Sequence, residues 1–242
     1  RDAIGSDDDL SPIGGLEARA DGTLWSTWAD PSPGGDPRDL TTVRLTDDGW
    51  EQVPASFPWV RLQGPLQLAV AEEAEGEAWL VGSEWALYRL DEAEWQRQPS
   101  PREGGSLSRA DVGPDGTLWA EFGGFANPTL ARLDGVEWKT FTEGVPRIGG
   151  HYMGFPGWFE VGPDGSVWFN PLGDYEVTGT ECDGVASFDG EILNRFLRDS
   201  CIYAMDIAPD GHVWLQAGPS PESPPNTVHT YVITPEAVAA AE

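Results

Sequence analysis

Apolar residues come in short runs along this chain, and each run is ended by Gly, Asp or Pro. The clearest stretch starts at Ser108–Val112, passes through Gly113-Pro114-Asp115-Gly116 and resumes at Thr117–Phe122. Pro sets φ at the first corner, Asp suits the second, and Gly116 supplies the positive φ, so this stretch predicts a tight hairpin. A looser segment, Gly123 to Pro128, follows. Leu130-Ala131-Arg132-Leu133 then runs into Asp134-Gly135, and Glu137–Phe141 sets Trp138 and Phe141 among polar positions. One unit therefore predicts four short antiparallel strands, A to D.

The same unit returns. Asp21-Gly22-Thr23-Leu24-Trp25 is followed by Gly113–Trp119 (GPDGTLW), Gly162–Trp168 (GPDGSVW) and Ala208–Trp214 (APDGHVW), with a degenerate copy, EGEAW, ending at Trp79. Successive tryptophans are 54, 40, 49 and 46 residues apart. A turn phrase at a period in the forties marks a repeat architecture. The C–D half recurs as Val43–Leu45 before Asp48-Gly49, Leu87–Leu90 before Glu94-Trp95, and Val185–Phe188 before Asp189-Gly190. The second unit has lost Pro-Asp from its A–B turn, Glu72 to Glu77. The fifth has no D strand, since Pro235 precedes an Ala-rich tail.

Four-stranded antiparallel sheets repeated at this period imply an all-β fold, a β-propeller with five recognisable blades, because each sheet must bury its faces against neighbours. The blades fall at about residues 16–53, 66–98, 108–142, 158–197 and 202–234 of a single domain spanning 1–242. They stand alone or form part of a six- or seven-bladed ring. Trp25, Trp79, Trp119, Trp168 and Trp214 are expected at equivalent, largely buried sites between sheets. Residues 1–15, with Asp7-Asp8-Asp9 and Pro12, read as a poor strand.

Composition agrees with short strands and many turns: 242 residues include 30 Gly, 21 Pro and 12 Trp. The formal net charge is −27, with Lys139 the one lysine. A field of that sign repels phosphate backbones and anionic membrane surfaces, so nucleic-acid binding is not expected. No run approaches the roughly 20 apolar residues that span a bilayer, so direct membrane insertion of this segment is not expected either. The chain opens on Arg1, which suggests a processed chain or a fragment whose export or anchoring signal lay upstream. Cys182 and Cys201 form no CxxC pattern. They read either as two core thiols or as a disulfide. Cys182 ends the B–C loop of the fourth unit and Cys201 ends the next D–A connection; both lie on one face, which favours the disulfide.

The A–B and C–D turns share one face, and the B–C and D–A loops share the other. The first holds short, similar turns whose acids, Asp21, Asp115, Asp164 and Asp210, are turn formers. The second holds long irregular loops, where binding concentrates on a rigid scaffold. Its candidate contact residues are Trp59, Arg61, Phe125, Asn127, Arg147, His151, Tyr152, Asp174 and Tyr175. His151, Asp174 and Glu176 suggest an alternative cation or acid–base site. No GxSxG elbow, HExxH pair, P-loop or EF-hand loop is present.

GPDGTLW followed by LARLDGVEWKTFTEGVP (Leu130–Pro146) resembles the two-component-regulator propeller repeat found in extracellular parts of bacterial sensor proteins. The GPDG phrase with its Trp, especially Gly162–Phe169, is also similar to virginiamycin B lyase-like propellers. The resemblance covers about Leu16 to Ile233. It implies a propeller fold and, through the sensor repeat, an extracytoplasmic module. The lyase relatives use a metal with a catalytic His and Glu; no segment here matches that stretch, so no catalytic residue and no resident cofactor are assigned. The function expected is a non-catalytic propeller that binds a small molecule or a protein on its B–C/D–A face. A metal-dependent lyase-like or hydrolase-like propeller enzyme with a divalent cation is the alternative, and a structural propeller within a larger chain is a third reading.

Overall fold

The computed structural model describes residues 11–18, 23–29, 40–46, 49–53, 67–70, 78–81, 87–91, 94–99, 107–113, 116–122, 129–142, 145, 159–171, 182–198, 200–218 and 228–241. They form an all-β structure of consecutive antiparallel sheets. The first sheet holds β1 (Ser11–Ala18), β2 (Leu24–Ala29), β3 (Leu40–Thr46) and β4 (Gly49–Val53) in sequential order. The second holds β5 (Gln67–Val70), β6 (Ala78–Val81), β7 (Leu87–Asp91) and β8 (Glu94–Arg97). The third holds β9 (Leu107–Val112), β10 (Leu118–Phe122), β11 (Thr129–Asp134) and β12 (Glu137–Phe141). The fourth holds β13 (Phe159–Val161), β14 (Val167–Phe169), β15 (Val185–Phe188) and β16 (Leu193–Phe196). The fifth has three strands, β17 (Cys201–Ile207), β18 (Val213–Gly218) and β19 (His229–Ile233).

The strands turn where the sequence places its turn formers. In three A–B turns the closing Gly donates to the residue three positions back: Gly116 to Gly113 O at 2.9 Å, Gly165 to Gly162 O at 2.9 Å and Gly211 to Ala208 O at 2.8 Å. These glycines have φ of 81°, 80° and 82°, the left-handed region that side-chain-bearing residues avoid. β1 reaches back to Ser11, into the stretch that reads as a poor strand. It is an edge strand with a register shift between Pro12 and Leu16, and an edge position needs no ladder donor from proline. The tail after Pro235 is a short helix, α1 (Pro235–Ala239): the side chain of Thr234 accepts from the Ala237 amide, and Pro occupies the first turn.

The chain divides into two compact units, Arg1–Gly116 and Thr117–Glu242. In the first, β5 packs against β1 and β2, and β9 against β5 and β6, so sheets stack in sequence order. In the second, Trp119 and Leu130 of the third sheet join Phe159, Val167, Phe169, Ala186 and Phe188 of the fourth in one buried cluster. Trp168 and Val185 of the fourth sheet join Ile202, Met205, Val213, Leu215 and Ile233 of the fifth in another. Trp119 and Trp168, the strand-B indoles of the third and fourth sheets, therefore each belong to the core shared with the following sheet.

The five tryptophans hold the same register but not the same burial. Trp25, Trp79 and Trp119 each stand opposite an arginine on strand C: Arg44, Arg89 and Arg132. The guanidinium carbon of Arg132 lies 5.5 Å from the Trp119 ring centroid, and that of Arg89 5.9 Å from the Trp79 centroid, which is cation–π distance. In the fourth and fifth sheets this partner becomes Ser187 and Val232. Trp25, Trp79, Trp119 and Trp168 are 0–3% exposed, whereas Trp214 is 49% exposed. The expectation of burial fails for Trp214 because no later sheet covers its face among the described residues, as the fourth covers Trp119 and the fifth covers Trp168.

Candidate functional site

On the loop face, the fourth and fifth sheets are joined around Cys182 and Cys201. Cys182, at the end of the fourth sheet's B–C connection, is disulfide-bonded to Cys201, the first residue of β17, with Cα atoms 4.8 Å apart. Next to it the Asp183 carboxylate pairs with the Arg195 guanidinium on β16. The Gly184 amide donates to Ser200 O at 2.9 Å, and the Ser200 amide donates to Leu197 O at 3.1 Å. Gly184 has φ of 72°, and a Cβ there would collide with the carbonyl oxygens of Phe196 and Leu197, so only glycine lets the loop lie this close. Leu197 has φ of 52°, an uncommon conformation for a side-chain-bearing residue. The disulfide and the Gly184 hydrogen bond thus clasp residues 182–184 to the start of the fifth sheet, the Asp183–Arg195 pair ties them to β16, and the Ser200–Leu197 bond shapes the turn between.

The opposite edge of the same two sheets is built from turns. Asp164 Oδ1 accepts from the Ser166 amide at 3.0 Å and from Ser166 Oγ at 2.6 Å, and the Trp168 indole N–H donates to Ser166 Oγ at 3.1 Å. Asp210 Oδ1 accepts from the His212 amide at 3.2 Å and lies 3.0 Å from His212 Nδ1, an ion pair when the ring is protonated. The amide bond from His212, then its side chain, holds the Asp210 carboxyl below the ordinary aspartate range. The Glu236 carboxyl is likewise lowered, by its own backbone N–H at the start of α1 and then by the Thr234 hydroxyl. Between these turns and α1 lies an open cleft of about 420 Å³. Pro163, Asp164, Trp168, Pro209, Asp210, Pro235 and Val238 contribute to its walls.

Of the residues that the sequence singles out, Cys182 and Cys201 are brought together. Trp59, Arg61, Phe125, Asn127, Arg147, His151, Tyr152, Asp174 and Tyr175 lie outside the described residues, as does Glu176. Asp164 and Asp210 act as turn formers, as expected. Among the described residues no three His, Cys, Asp or Glu side chains are grouped to hold a metal ion, and no helix is long and apolar enough to cross a membrane. The Asp183–Arg195 pair and the backbone of Leu197 are not marked by any local motif. The cleft escapes the sequence too, because it needs the position of α1 as its third wall.

Solved structures of propeller-type proteins share this fold. Virginiamycin B lyase from Staphylococcus aureus matches over 96% of this chain and 87% of its own, with TM-score 0.53 and 14% identity. Its catalytically inactive H270A form with quinupristin matches with TM-score 0.51 and 15% identity over the same shares. PorZ, a surface component of the type-IX secretion system of Porphyromonas gingivalis, matches with TM-score 0.52 and 15% identity over 93% of this chain and 35% of its own. At such identities the likeness is one of fold, and these proteins differ in what they do. No protein-family model matches the chain, and no curated protein matches it by sequence.

Proposed function

We propose that this chain is a non-catalytic recognition propeller that works outside the cytoplasm and binds a small molecule or a protein through its B–C/D–A loops. The clasp around Cys182 and Cys201 carries this reading. Disulfides persist in oxidising compartments. This one also anchors, at Cys182, the end of the connection between β14 and β15 in whose sequence Asp174 and Tyr175 lie, and anchoring a segment before binding removes part of its ordering cost.

The test compares the wild-type protein with a Trp59→Ala/Tyr152→Ala/Tyr175→Ala variant in two screens, a thermal-shift screen of small molecules and crosslinking to cell-surface and secreted proteins. Aromatic anchors carry much of the binding energy at such faces. The expected result is a set of wild-type hits lost in the triple variant while its circular dichroism is unchanged. Hits retained in full by the variant overturn the face assignment. Turnover of a screened compound that a chelator abolishes replaces this reading with a metal-dependent enzyme.

A further inference from the structure

We infer that the cleft between the A–B turns of the fourth and fifth sheets is a binding site for an organic cation on a short aliphatic stem, an alkyl guanidinium or alkyl ammonium. The site is on the edge opposite the loop face and does not depend on the function assigned to that face. Three pieces of backbone converge there. A Cβ placed on Gly211 would lie 3.2 Å from Pro235 Cγ and 3.8 Å from Pro163 Cγ, so the turn of the fifth sheet sits between the turn of the fourth and the start of α1. α1 is held in place because Val238 packs on the buried cluster of the fifth sheet. This gives the cleft a third wall, and its volume of about 420 Å³ is in the range of small-ligand sites.

The lining states the chemistry of the occupant. It contains two carboxylates, Asp164 and Asp210, and no Lys, Arg or His. Every hydrogen bond described for these carboxylates is taken by Oδ1. Oδ2 of each therefore has acceptor capacity left, and a charged N–H donor is the strongest neutral-pH match for it. The remaining walls are pyrrolidine rings, Val238 and the edge of Trp168, which suit the methylenes of a long basic side chain rather than a hydrated ion. Two carboxylates on apolar walls are too thin a donor set for Ca²⁺ or Mg²⁺. The net charge of −27 raises the local concentration of cations around the whole molecule.

The same cation can come from a free amine or from a basic side chain of a peptide. The probes are therefore agmatine and an end-blocked Ala-Arg-Ala peptide, with the matching citrulline peptide as the neutral control. Binding is followed by NMR at the amides of residues 162–165 and 208–211 and at the Trp168 indole N–H. Saturable shifts with either cationic probe in the millimolar range or below, and none with the citrulline peptide, are the expected result. Tighter binding of the peptide assigns a protein-borne side chain, and tighter binding of agmatine assigns a free amine. Asp164→Asn and Asp210→Asn keep the turn acceptor and should each weaken binding about fivefold, with little response left in the double variant. Asp189→Asn, in a C–D turn outside the cleft, should leave affinity unchanged. The inference is overturned by absent shifts, by equal shifts with the citrulline peptide, by a double variant that binds as the wild type does, or by an equal loss in Asp189→Asn.

Discussion

The fourth and fifth sheets start from nearly the same phrase, GPDGSVW and APDGHVW, and their tryptophans end in opposite environments. The registers agree: Trp168 stands opposite Glu160, and Trp214 opposite Asp206. The difference lies in what comes next. Trp168 packs on Ile202, Met205 and Val213 of the fifth sheet, and Glu160 Oε1 accepts from the Ile207 amide at 3.1 Å. Asp206, Trp214 and Val232 form one row across the fifth sheet, and all three are exposed. The phrase therefore encodes a hairpin and a register. Burial is conferred by the neighbouring sheet.

The largest effect that separates the two sheets should come from their indoles. Trp168→Ala should cost about 3–5 kcal/mol in urea unfolding, the range for emptying a buried aromatic site. Trp214→Ala should cost about 1 kcal/mol or less, because half of its ring already faces water. Equal losses would break the argument from the neighbouring sheet. The seam between the sheets comes second. Replacing both Cys182 and Cys201 by Ser should cost about 3 kcal/mol for a bridge spanning 19 residues, with faster amide exchange concentrated in β16 and β17. Unchanged stability would mean that the ion pair and backbone bonds of the clasp suffice alone.

Smaller effects sharpen the comparison. Glu160→Ala removes an acceptor from the Ile207 amide and should cost about 1–2 kcal/mol, while Asp206→Ala should stay within about 0.5 kcal/mol. A larger loss for Asp206→Ala would show that its face is covered in solution. The smallest effect is electrostatic. Since the Asp210 carboxyl is lowered on folding, its contribution to stability is present above the ordinary aspartate range and is lost as pH falls through the depressed folded value. A carboxyl-detected NMR titration should place its midpoint below that of an ordinary aspartate, and His212→Ala should move it back up only in part, because the amide donor remains.

The hairpins were legible in the sequence because a turn phrase acts locally. Pro-Asp-Gly fixes its corner whatever packs nearby, and the positive φ values of Gly116, Gly165 and Gly211 follow. The disulfide was legible because strand order alone puts Cys182 and Cys201 on one face. The exposure of Trp214 was not, since burial depends on a surface that the strand itself does not carry. The clasp was hidden for a similar reason: Asp183 and Arg195 are ordinary loop and strand residues until the backbone of Phe196, Leu197 and Ser200 closes on Gly184. α1 was masked by an Ala-rich stretch in which only Thr234-Pro235 signals a helix start.

Every strand pairing described within the five sheets joins neighbours in sequence, from β1–β2 through to β18–β19. That order has a kinetic meaning. No pairing has to wait for a distant part of the chain, so the entropy lost in closing each contact stays nearly constant as the polypeptide lengthens. Such a chain can acquire its structure vectorially, one meander after another, while it is still being synthesised. The bridge between Cys182 and Cys201 then becomes a ratchet tooth: once β15 and β16 have formed and residue 201 has emerged, oxidation locks in the fourth meander and presents β17 as the start of the fifth.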